Sequence, residues 1–353
     1  IAPPSPLSIT RREAIAVYAE LFEKAVAKTL PAGDLAVPLS GGRDSRHIAL
    51  ALSAIGHQPA ACVTALYQPP RSNEDARVAA EICAAADINH LLVEQSDTRF
   101  SSEILKNLKT GFCTLEHGWF VGLAKYIEKQ WTAVYDGIAG DVLSAGHFLD
   151  AARLDLFRRG KFEELADLIL LSEGYLPALL TVENYRKFSR EKAVSRVVEE
   201  LSRCAAALNP VGSFYLRTRT RRCIALSPFR LFGEGMQIIT PFLEADLFDF
   251  LVSLPVEMFL DQKFHTETIA FAYPQYAAVG YEKSETGEIL AHKEFQQYSR
   301  DMLKLNLTAR KHELINRKFV IARCLRGMFD KSYSRNVIDF GMIAILLMQL
   351  ERL

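Results

Sequence analysis

One short stretch limits the fold more than any other: an apolar run, then a glycine turn, then a helical pattern. Residues 35–39 form a short apolar run of the kind found in strands buried on both faces of a sheet. Ser40-Gly41-Gly42-Arg43-Asp44-Ser45 follows directly, and residues 47–55 have a helical pattern that ends at Gly56. A buried strand that turns at once into a helix is typical of parallel α/β sheets, which bind ligands at the carboxyl ends of their strands.

The same alternation continues along the first part of the chain. Three further apolar strands are predicted over residues 60–66, 90–93 and 131–135, with helical patterns between them. From residue 151 onward the pattern is nearly all helical. We therefore predict a linker over residues 1–10, a doubly wound α/β domain over 11–150 and a mostly helical domain over 151–353.

Composition argues against several classes of protein. The 42 basic residues balance the 42 acidic ones, which gives no electrostatic case for a nucleic-acid or membrane partner. No apolar run reaches the roughly 18 to 20 residues of a membrane-spanning helix. The first residues, Ile1-Ala2-Pro3-Pro4-Ser5-Pro6, read as a proline-rich linker and not as a signal peptide. The six cysteines form no C-x-x-C pair, and we expect a cytoplasmic protein.

The glycine turn, residues 40–45, has the features of an anion-binding loop. Gly41 and Gly42 let the backbone approach an anion closely, and the N-terminus of the following helix favours negative charge. Ser40 and Ser45 add hydroxyl donors. Asp44 would repel a phosphate unless a cation lies between them, so we predict Mg²⁺ held by Asp44 and the phosphates. The alternative is a tight strand-to-helix turn with an aspartate cap.

This loop lacks the Lys-Ser/Thr ending of a Walker A loop. It resembles instead the pyrophosphate loop, Ser-Gly-Gly-x-Asp-Ser, of the N-type ATP pyrophosphatases. The resemblance implies their fold, the binding of ATP, and cleavage between its α and β phosphates to leave an adenylated intermediate. The residues it implies for nucleotide binding are Leu39, Ser40, Gly41, Gly42, Asp44, Ser45, Val63 and Gly137.

A second stretch narrows the resemblance to the asparagine-synthetase branch. Asp136-Gly137-Ile138-Ala139-Gly140-Asp141 and the residues after it are similar to that branch's Gly-Glu-Gly-Ala-Asp-Glu segment. Asp141 matches the family aspartate that holds Mg²⁺ opposite the one in the loop, here Asp44, and Gly137 matches a glycine beside the nucleotide. The alternative role of Asp141 is a helix cap.

A third stretch, Thr240-Pro241-Phe242-Leu243-Glu244, resembles the branch's Val-Pro-Phe-Leu-Asp. After it, Lys263 and Lys283 match two family lysines that contact pyrophosphate and the reacting acyl group. The resemblance therefore implies that both are catalytic, since a lysine stabilises charge that develops on a transferring group. The alternative for either is a solvated surface lysine.

The pattern departs from the branch at three places. Ile138 stands where asparagine synthetase has Glu and β-lactam synthetase has Tyr, and isoleucine cannot accept a proton. Ile239 and Thr240 stand where an Arg normally precedes Pro-Phe-Leu-Asp. Ile1 cannot replace the N-terminal Cys of a glutaminase. The amine is expected from an upstream glutaminase domain or partner, or from a substrate amino group, as in β-lactam and lasso-peptide macrolactam synthetases.

The remaining charged and titratable residues give weaker signals. The basic cluster over residues 217–222 favours a solvated helix face or a charge network over an acidic-substrate site. The histidines have no metal-ligand spacing. Two residues after Ser45, His47 is near enough to contact a nucleotide, while His117 and His147 are candidates to line the cleft.

These observations predict an ATP-dependent, AMP-forming amide ligase with ATP and Mg²⁺ as cofactors. Its substrates would be small-molecule or peptide carboxylates and amines, with no nucleic acid and no membrane. Two alternatives stay open. One is a catalytically degenerate nucleotide-binding module, which Ile138 suggests. The other is a tRNA-modifying ATP pyrophosphatase, which would need reactive cysteine pairs and a basic surface.

Overall fold

A single parallel sheet organises the computed structural model, which describes residues 6–282, 291–308 and 313–353. Its strands are β1 (Leu35–Pro38), β2 (Ala61–Ala65), β3 (His90–Val93), β4 (Ala133–Tyr135) and β5 (Gln237–Ile239). The order across the sheet is β3-β2-β1-β4-β5, with every neighbouring pair parallel. The direction of winding reverses between β1 and β4, which is where ligands bind in sheets of this kind.

Helices cover the sheet, and most of the described chain after residue 150 is helical, as predicted. The helices before residue 150 are α1 (Arg11–Lys28), α2 (Asp44–Ala54), α3 (Glu74–Ala86), α4 (Arg99–Lys109), α5 (Phe120–Ile127) and α6 (Gly140–Leu143). Those after it are α7 (Ala151–Arg158), α8 (Phe162–Leu170), α9 (Leu176–Leu179), α10 (Val182–Lys187), α11 (Arg190–Arg203), α12 (Pro210–Tyr215), α13 (Leu226–Leu231), α14 (Ala245–Val252), α15 (Phe264–Ala272), α16 (His292–Thr308), α17 (Arg317–Phe329) and α18 (Asn336–Leu350). A π-helix, Leu216–Ile224, and short 3₁₀ turns at Pro241–Leu243, Val256–Phe259 and Pro274–Tyr276 complete the described elements.

The first helix shows how local sequence sets an element and its packing. Thr10 caps α1: its hydroxyl accepts from the Glu13 N–H at 3.3 Å, and the Glu13 carboxylate accepts from the Thr10 N–H at 2.9 Å. This reciprocal pair satisfies two N–H groups at the helix end. Tyr18, Phe22 and Val26 then fall on one face and are fully buried. That face packs against α2, α14 and α15, which fixes the helix that carries the glycine loop.

One strand was missed by the sequence pattern. Residues after 150 were expected to be nearly all helical, but β5 pairs with β4 through Tyr135 and Ile239. A strand of only three residues is too short to show an alternation, and it is defined by its pairing with β4 and not by its own sequence. The boundary near residue 150 stays a prediction, although the sheet takes an edge strand from beyond it.

The three C-terminal helices build a second apolar core. Met302 of α16, Cys324 of α17 and Ile345 of α18 are fully buried in one cluster, separate from the clusters around the sheet. Both α16 and α18 pack against α4. Helix α4 thus joins the C-terminal helices to the edge of the sheet near β3. Among the described residues, no helix combines the length and apolar character needed to cross a bilayer.

Candidate active site

The glycine loop, residues 40–45, is held in shape by its own serines and by a buried carboxylate. The Ser40 N–H donates to the Ser45 hydroxyl at 3.0 Å, and the Gly42 N–H donates to the Ser40 hydroxyl at 3.2 Å. The Gly41 N–H donates to Oδ1 of buried Asp75 at 2.6 Å. A Cβ added at Gly41 would stand 3.2 Å from Asp75 Oδ1 and from the Val78 Cβ, so the loop backbone can lie this close to α3 only with a glycine at that position.

Helix α2 starts with no side-chain cap. Arg43 occupies the cap position, but its guanidinium has no acceptor for the first-turn N–H groups, and its Nε donates to Thr266 at 2.7 Å. The first N–H groups of a helix have no partner within the helix. Together with the loop hydroxyls they offer donors to an anion at the carboxyl end of β1.

A second loop, residues 136–141 (the aspartate loop), leaves β4 beside the first. The Ile138 N–H donates to Asp136 Oδ1 at 2.8 Å, and Ala139 adopts a positive φ of 73°. Two glycines of this loop lie directly against Asp44. A Cβ on Gly137 would stand 2.8 Å from the Asp44 Cβ, and one on Gly140 would stand 2.6 Å from its carboxylate. The two loops are therefore in contact because β1 and β4, the strands that they follow, are neighbours in the sheet.

Three carboxylates, Asp44, Asp136 and Asp141, line the same cleft. Burial, and then the charge of Asp141, raise the pKa of Asp44 well above its usual range, although the Asp141 N–H donates to its carboxylate. Burial also raises the pKa of Asp136 to about 6. Carboxylates gathered in this way favour a cation between them. The donor set therefore fits Mg²⁺, which prefers one or two carboxylates together with phosphate oxygens.

Behind Asp44 lies a buried chain of polar groups. His265 Nδ1 is 3.4 Å from Asp44 Oδ1 and 3.0 Å from the Ser144 hydroxyl. His265 Nε2 is 3.0 Å from His47 Nδ1. Burial lowers the pKa of His265 to about 3, so the ring is neutral and packs beside the Asp44 carboxylate without an ionic charge, while its Nδ1 is hydrogen-bonded with Ser144.

These groups border a cleft of about 260 Å³, which we call the nucleotide cleft. Its walls include seven of the residues predicted for nucleotide or metal binding, namely Leu39, Ser40, Asp44, Ser45, Val63, Gly137 and Asp141. Gly41 and Gly42 belong to the same loop but do not line the cleft. One half of the wall is apolar, with Val63, Phe120 and Leu123, and the other half carries the loops and carboxylates.

Other predicted residues lie elsewhere. Lys263 is exposed at the start of α15, does not line the nucleotide cleft, and its N–H donates to Asp261 at 3.0 Å. Lys283 lies outside the described residues. The expectation that His47 contacts a nucleotide is wrong, because the ring is fully buried and stacks on Phe22 at 3.7 Å. His117 does line the cleft, whereas His147 does not.

Sequence reasoning missed Arg219 as a cleft residue. It lies in the π-helix, and its guanidinium reaches Glu116 at 2.9 Å and Asp141 at 3.8 Å, over the ring of Phe148. Its Nη1 is buried and has no hydrogen-bond partner. The feature of the sequence that could have indicated it was the basic cluster over residues 217–222. Two other members of that cluster, Arg217 and Arg222, form a charge network with Glu200. The π-helical turn, which no pattern predicted, is what aims Arg219 into the cleft.

Ile138 is buried and lines the nucleotide cleft, so the position expected to hold a proton acceptor is apolar here. The imidazole of His117 lines the same cleft, and burial lowers its pKa to about 4. His117 also adopts a positive φ of 68°, an unusual conformation for a residue other than glycine. The cleft therefore contains one neutral imidazole held by a strained backbone.

Comparison with known families gives one match. The family model described as asparagine synthase matches residues 17–227, which is more than half of the chain. The matched residues include both loops of the nucleotide cleft and Arg219. No curated protein matches this sequence.

Proposed function

Because this chain belongs to the asparagine synthase family, whose members are in general ATP-using, AMP-forming C–N ligases, we propose that it adenylates a carboxylate and passes the acyl group to an amine. The observation that carries the proposal is the contact between the two loops. Asp44 and Asp141 face one cleft beside the serines of the glycine loop. A carboxylate oxygen would attack the α-phosphorus of ATP, pyrophosphate would leave, and an amine would then displace AMP.

The two halves of the nucleotide cleft suit the two halves of ATP. Adenine is flat and apolar on its faces, and the wall of Val63, Phe120 and Leu123 offers an apolar surface for it. The triphosphate would lie on the other half, where Ser40, Ser45 and the first N–H groups of α2 donate hydrogen bonds. We propose Gly41 and Gly42 as the positions that allow the phosphates close to the backbone.

Magnesium dependence is part of the proposal, with Asp44 and Asp141 as the protein ligands. The raised pKa of Asp44 supports it, because that carboxylate lies close to two others in a partly enclosed site. The ion would supply neutralising charge to the phosphates when bound. Arg219 would add a second positive charge. Glu116 and Phe148 hold it in place, and its Nη1, which makes no hydrogen bond and lies 3.8 Å from Asp141 Oδ2, would donate to an anionic oxygen of the phosphates.

The acyl-transfer step needs a proton acceptor that Ile138 cannot provide. We propose His117, which lines the same cleft and is neutral at physiological pH because burial lowers its pKa to about 4. So weak a base can take a proton only after the amine has attacked, when the nitrogen of the adduct has become acidic. Lys263 and Lys283 stay predictions of the family resemblance for stabilising the pyrophosphate and the acyl transfer, and a cytoplasmic location also stays a prediction.

Separating the two half-reactions tests this assignment. Wild type and His117→Gln would be incubated with ATP, Mg²⁺ and a panel of amino acids and peptides, with pyrophosphate and amide product measured in parallel. We expect His117→Gln to release pyrophosphate while making at least about tenfold less amide. Equal loss of both would show that His117 acts on binding or adenylation. Release of pyrophosphate only when tRNA is added would favour a tRNA-modifying enzyme, and ATP binding without release would favour a degenerate module.

A further inference from the structure

A second cavity, larger than the nucleotide cleft, lies between the loops after β2 and β3 and the C-terminal helices. It encloses about 340 Å³, and we call it the outer cavity. Gln68, Pro69 and residues 95–100 form one wall, and one face of α16 forms the other. The family model ends at residue 227, so α16 lies outside the matched part of the chain.

A narrow middle cavity of about 90 Å³ lies between the outer cavity and the nucleotide cleft. It shares Tyr67, His117 and Trp119 with the nucleotide cleft. It shares Gln68 and Arg99 with the outer cavity. The three spaces are therefore adjacent in series, with the proposed proton acceptor His117 at the inner junction. An extended molecule would occupy all three spaces to reach the adenylated carboxylate, whereas ammonia would need no such room.

The charges around the outer cavity are unbalanced. Five residues of α16 line it. Four of them, Glu294, Gln297, Tyr298 and Asp301, are polar and stand at i, i+3, i+4 and i+7, and the fifth is Phe295. Neither acid forms an ion pair with any residue that the structure describes. Asp97 pairs with Lys125 at 2.6 Å. Arg99 is the one positive charge among the described residues of this lining, and even when it is counted against Glu294, whose charge acts on it, Asp301 is left unbalanced. The remaining excess is negative, which favours a cationic ligand.

Buried polar atoms along this path have no partner in the protein. The Ser102 hydroxyl in the middle cavity is buried and unbonded. The Tyr298 hydroxyl and both amide atoms of Gln95, in residues that line the outer cavity, are also buried and unbonded. Burial raises the pKa of Tyr298, so its hydroxyl remains a hydrogen-bond donor. Unbonded buried polar groups are costly. The Tyr298 hydroxyl lies against Gly341 and Gln95 Oε1 lies against Gly122, so among these groups the Ser102 hydroxyl is the one that leaves an unmet hydrogen bond on the path itself.

We infer that the outer cavity binds the far end of the amine substrate, and that this substrate is a diamine-like molecule. Its reactive amino group would pass His117 into the nucleotide cleft. Its second, cationic group would lie on the acidic face of α16, with Glu294 or Asp301 as its counter-ion, and its alkyl chain would fill the narrow middle cavity beside Trp119. The inference rests on the proposed amide-forming function and names the class of amine for that site.

Binding without ATP tests this inference apart from the ligase reaction. Cadaverine and n-pentylamine, which share a chain length and differ by one amino group, would be titrated calorimetrically into the whole protein. We expect cadaverine to bind at least about tenfold more tightly, since one charge-assisted contact is worth that factor or more. The Glu294→Gln/Asp301→Gln double variant should lose that preference, whereas Glu163→Gln, an exposed acid on α8, should keep it.

Two further measurements separate the possible failures. Asp44→Asn should keep the preference for cadaverine over n-pentylamine, whatever its effect on the affinity for both amines, because the second amino group would not contact the acids of the nucleotide cleft. Equal affinities for the two amines, unchanged preference in the α16 double variant, or loss of preference in Asp44→Asn would each overturn the inference. The proposed function is judged separately by pyrophosphate release, so a protein that releases pyrophosphate but shows no diamine preference loses only this inference.

Discussion

The nucleotide cleft and the outer cavity are built in opposite ways. The carboxylates of the cleft and the serines of its glycine loop come from two loops of six residues each, residues 40–45 and 136–141, which leave adjacent parallel strands. The outer cavity depends on four segments far apart in the chain, from the loops after β2 and β3 to α16 and α18. A site made of consecutive residues on strand ends can be inferred from a motif. A site made where helices meet depends on packing, which a single sequence does not display.

The largest loss of activity should come from replacing Gly140, which lies where the two loops of the cleft meet. A Cβ at Gly140 would stand 2.6 Å from the Asp44 carboxylate and 2.9 Å from Phe242. Gly140→Ala should therefore displace Asp44 and lower pyrophosphate release about a hundredfold or more, because small misplacements of reacting groups are that costly. Gly235→Ala, where nothing lies within 4 Å, is the matched control. Unimpaired release by Gly140→Ala would mean that contact between the loops does not set the site.

Arg219 tests a cleft residue that comes from packing and not from a loop motif. Replacing it with Ala removes the guanidinium that faces Asp141 and Glu116. We expect kcat/KM for ATP to fall between about 10- and 100-fold, the range of one charge-assisted hydrogen bond to an anion. Arg217→Ala, in the same π-helix but facing Glu200, should retain wild-type kinetics. Equal losses in both variants would assign the effect to the π-helix as a whole.

The aspartate loop should also affect the stability of the nucleotide-free protein. The pKa of Asp136 rises from 3.8 to about 6 on folding, so the folded protein holds this proton more tightly than the unfolded chain does. Stability should therefore fall as pH rises through that window. Asp136→Asn keeps the acceptor for the Ile138 N–H and removes the titration. Above pH ~6 the variant should be more stable by on the order of 2 kcal/mol, measured by urea unfolding, with no gain below pH ~4.

Replacing Lys263 should give the smallest loss of activity. It is exposed and lies outside the nucleotide cleft, so any interaction with pyrophosphate would be weakened by solvent. Lys263→Ala is expected to lower kcat about tenfold or less. The control is Lys187→Ala, an exposed lysine paired with Glu183 on α10. If kcat of Lys263→Ala equals that of Lys187→Ala, Lys263 is not a catalytic residue, and the role that the family resemblance implies for it is wrong.

The sequence anticipated what consecutive residues determine. The parallel sheet, the two loops at its switch point and the pairing of Asp44 with Asp141 follow from apolar runs, glycine turns and the family resemblance. It missed β5, because three residues show no period and only pairing with β4 defines the strand. It also missed Arg219, which lies among six consecutive basic and polar residues that the sequence does not distinguish. The π-helical turn places Arg219 in the cleft, whereas Arg217 and Arg222 face Glu200.

The central claim is tested most directly by the products that wild type and Asp44→Ala form from ATP. Both proteins would be incubated with Mg²⁺ and the amino-acid and peptide panel, with AMP, ADP, pyrophosphate and phosphate measured, and circular dichroism would confirm that the variant is folded. The account predicts that wild type forms AMP and pyrophosphate and that folded Asp44→Ala forms neither. Pyrophosphate release retained by Asp44→Ala, or ADP and phosphate from wild type, would contradict it.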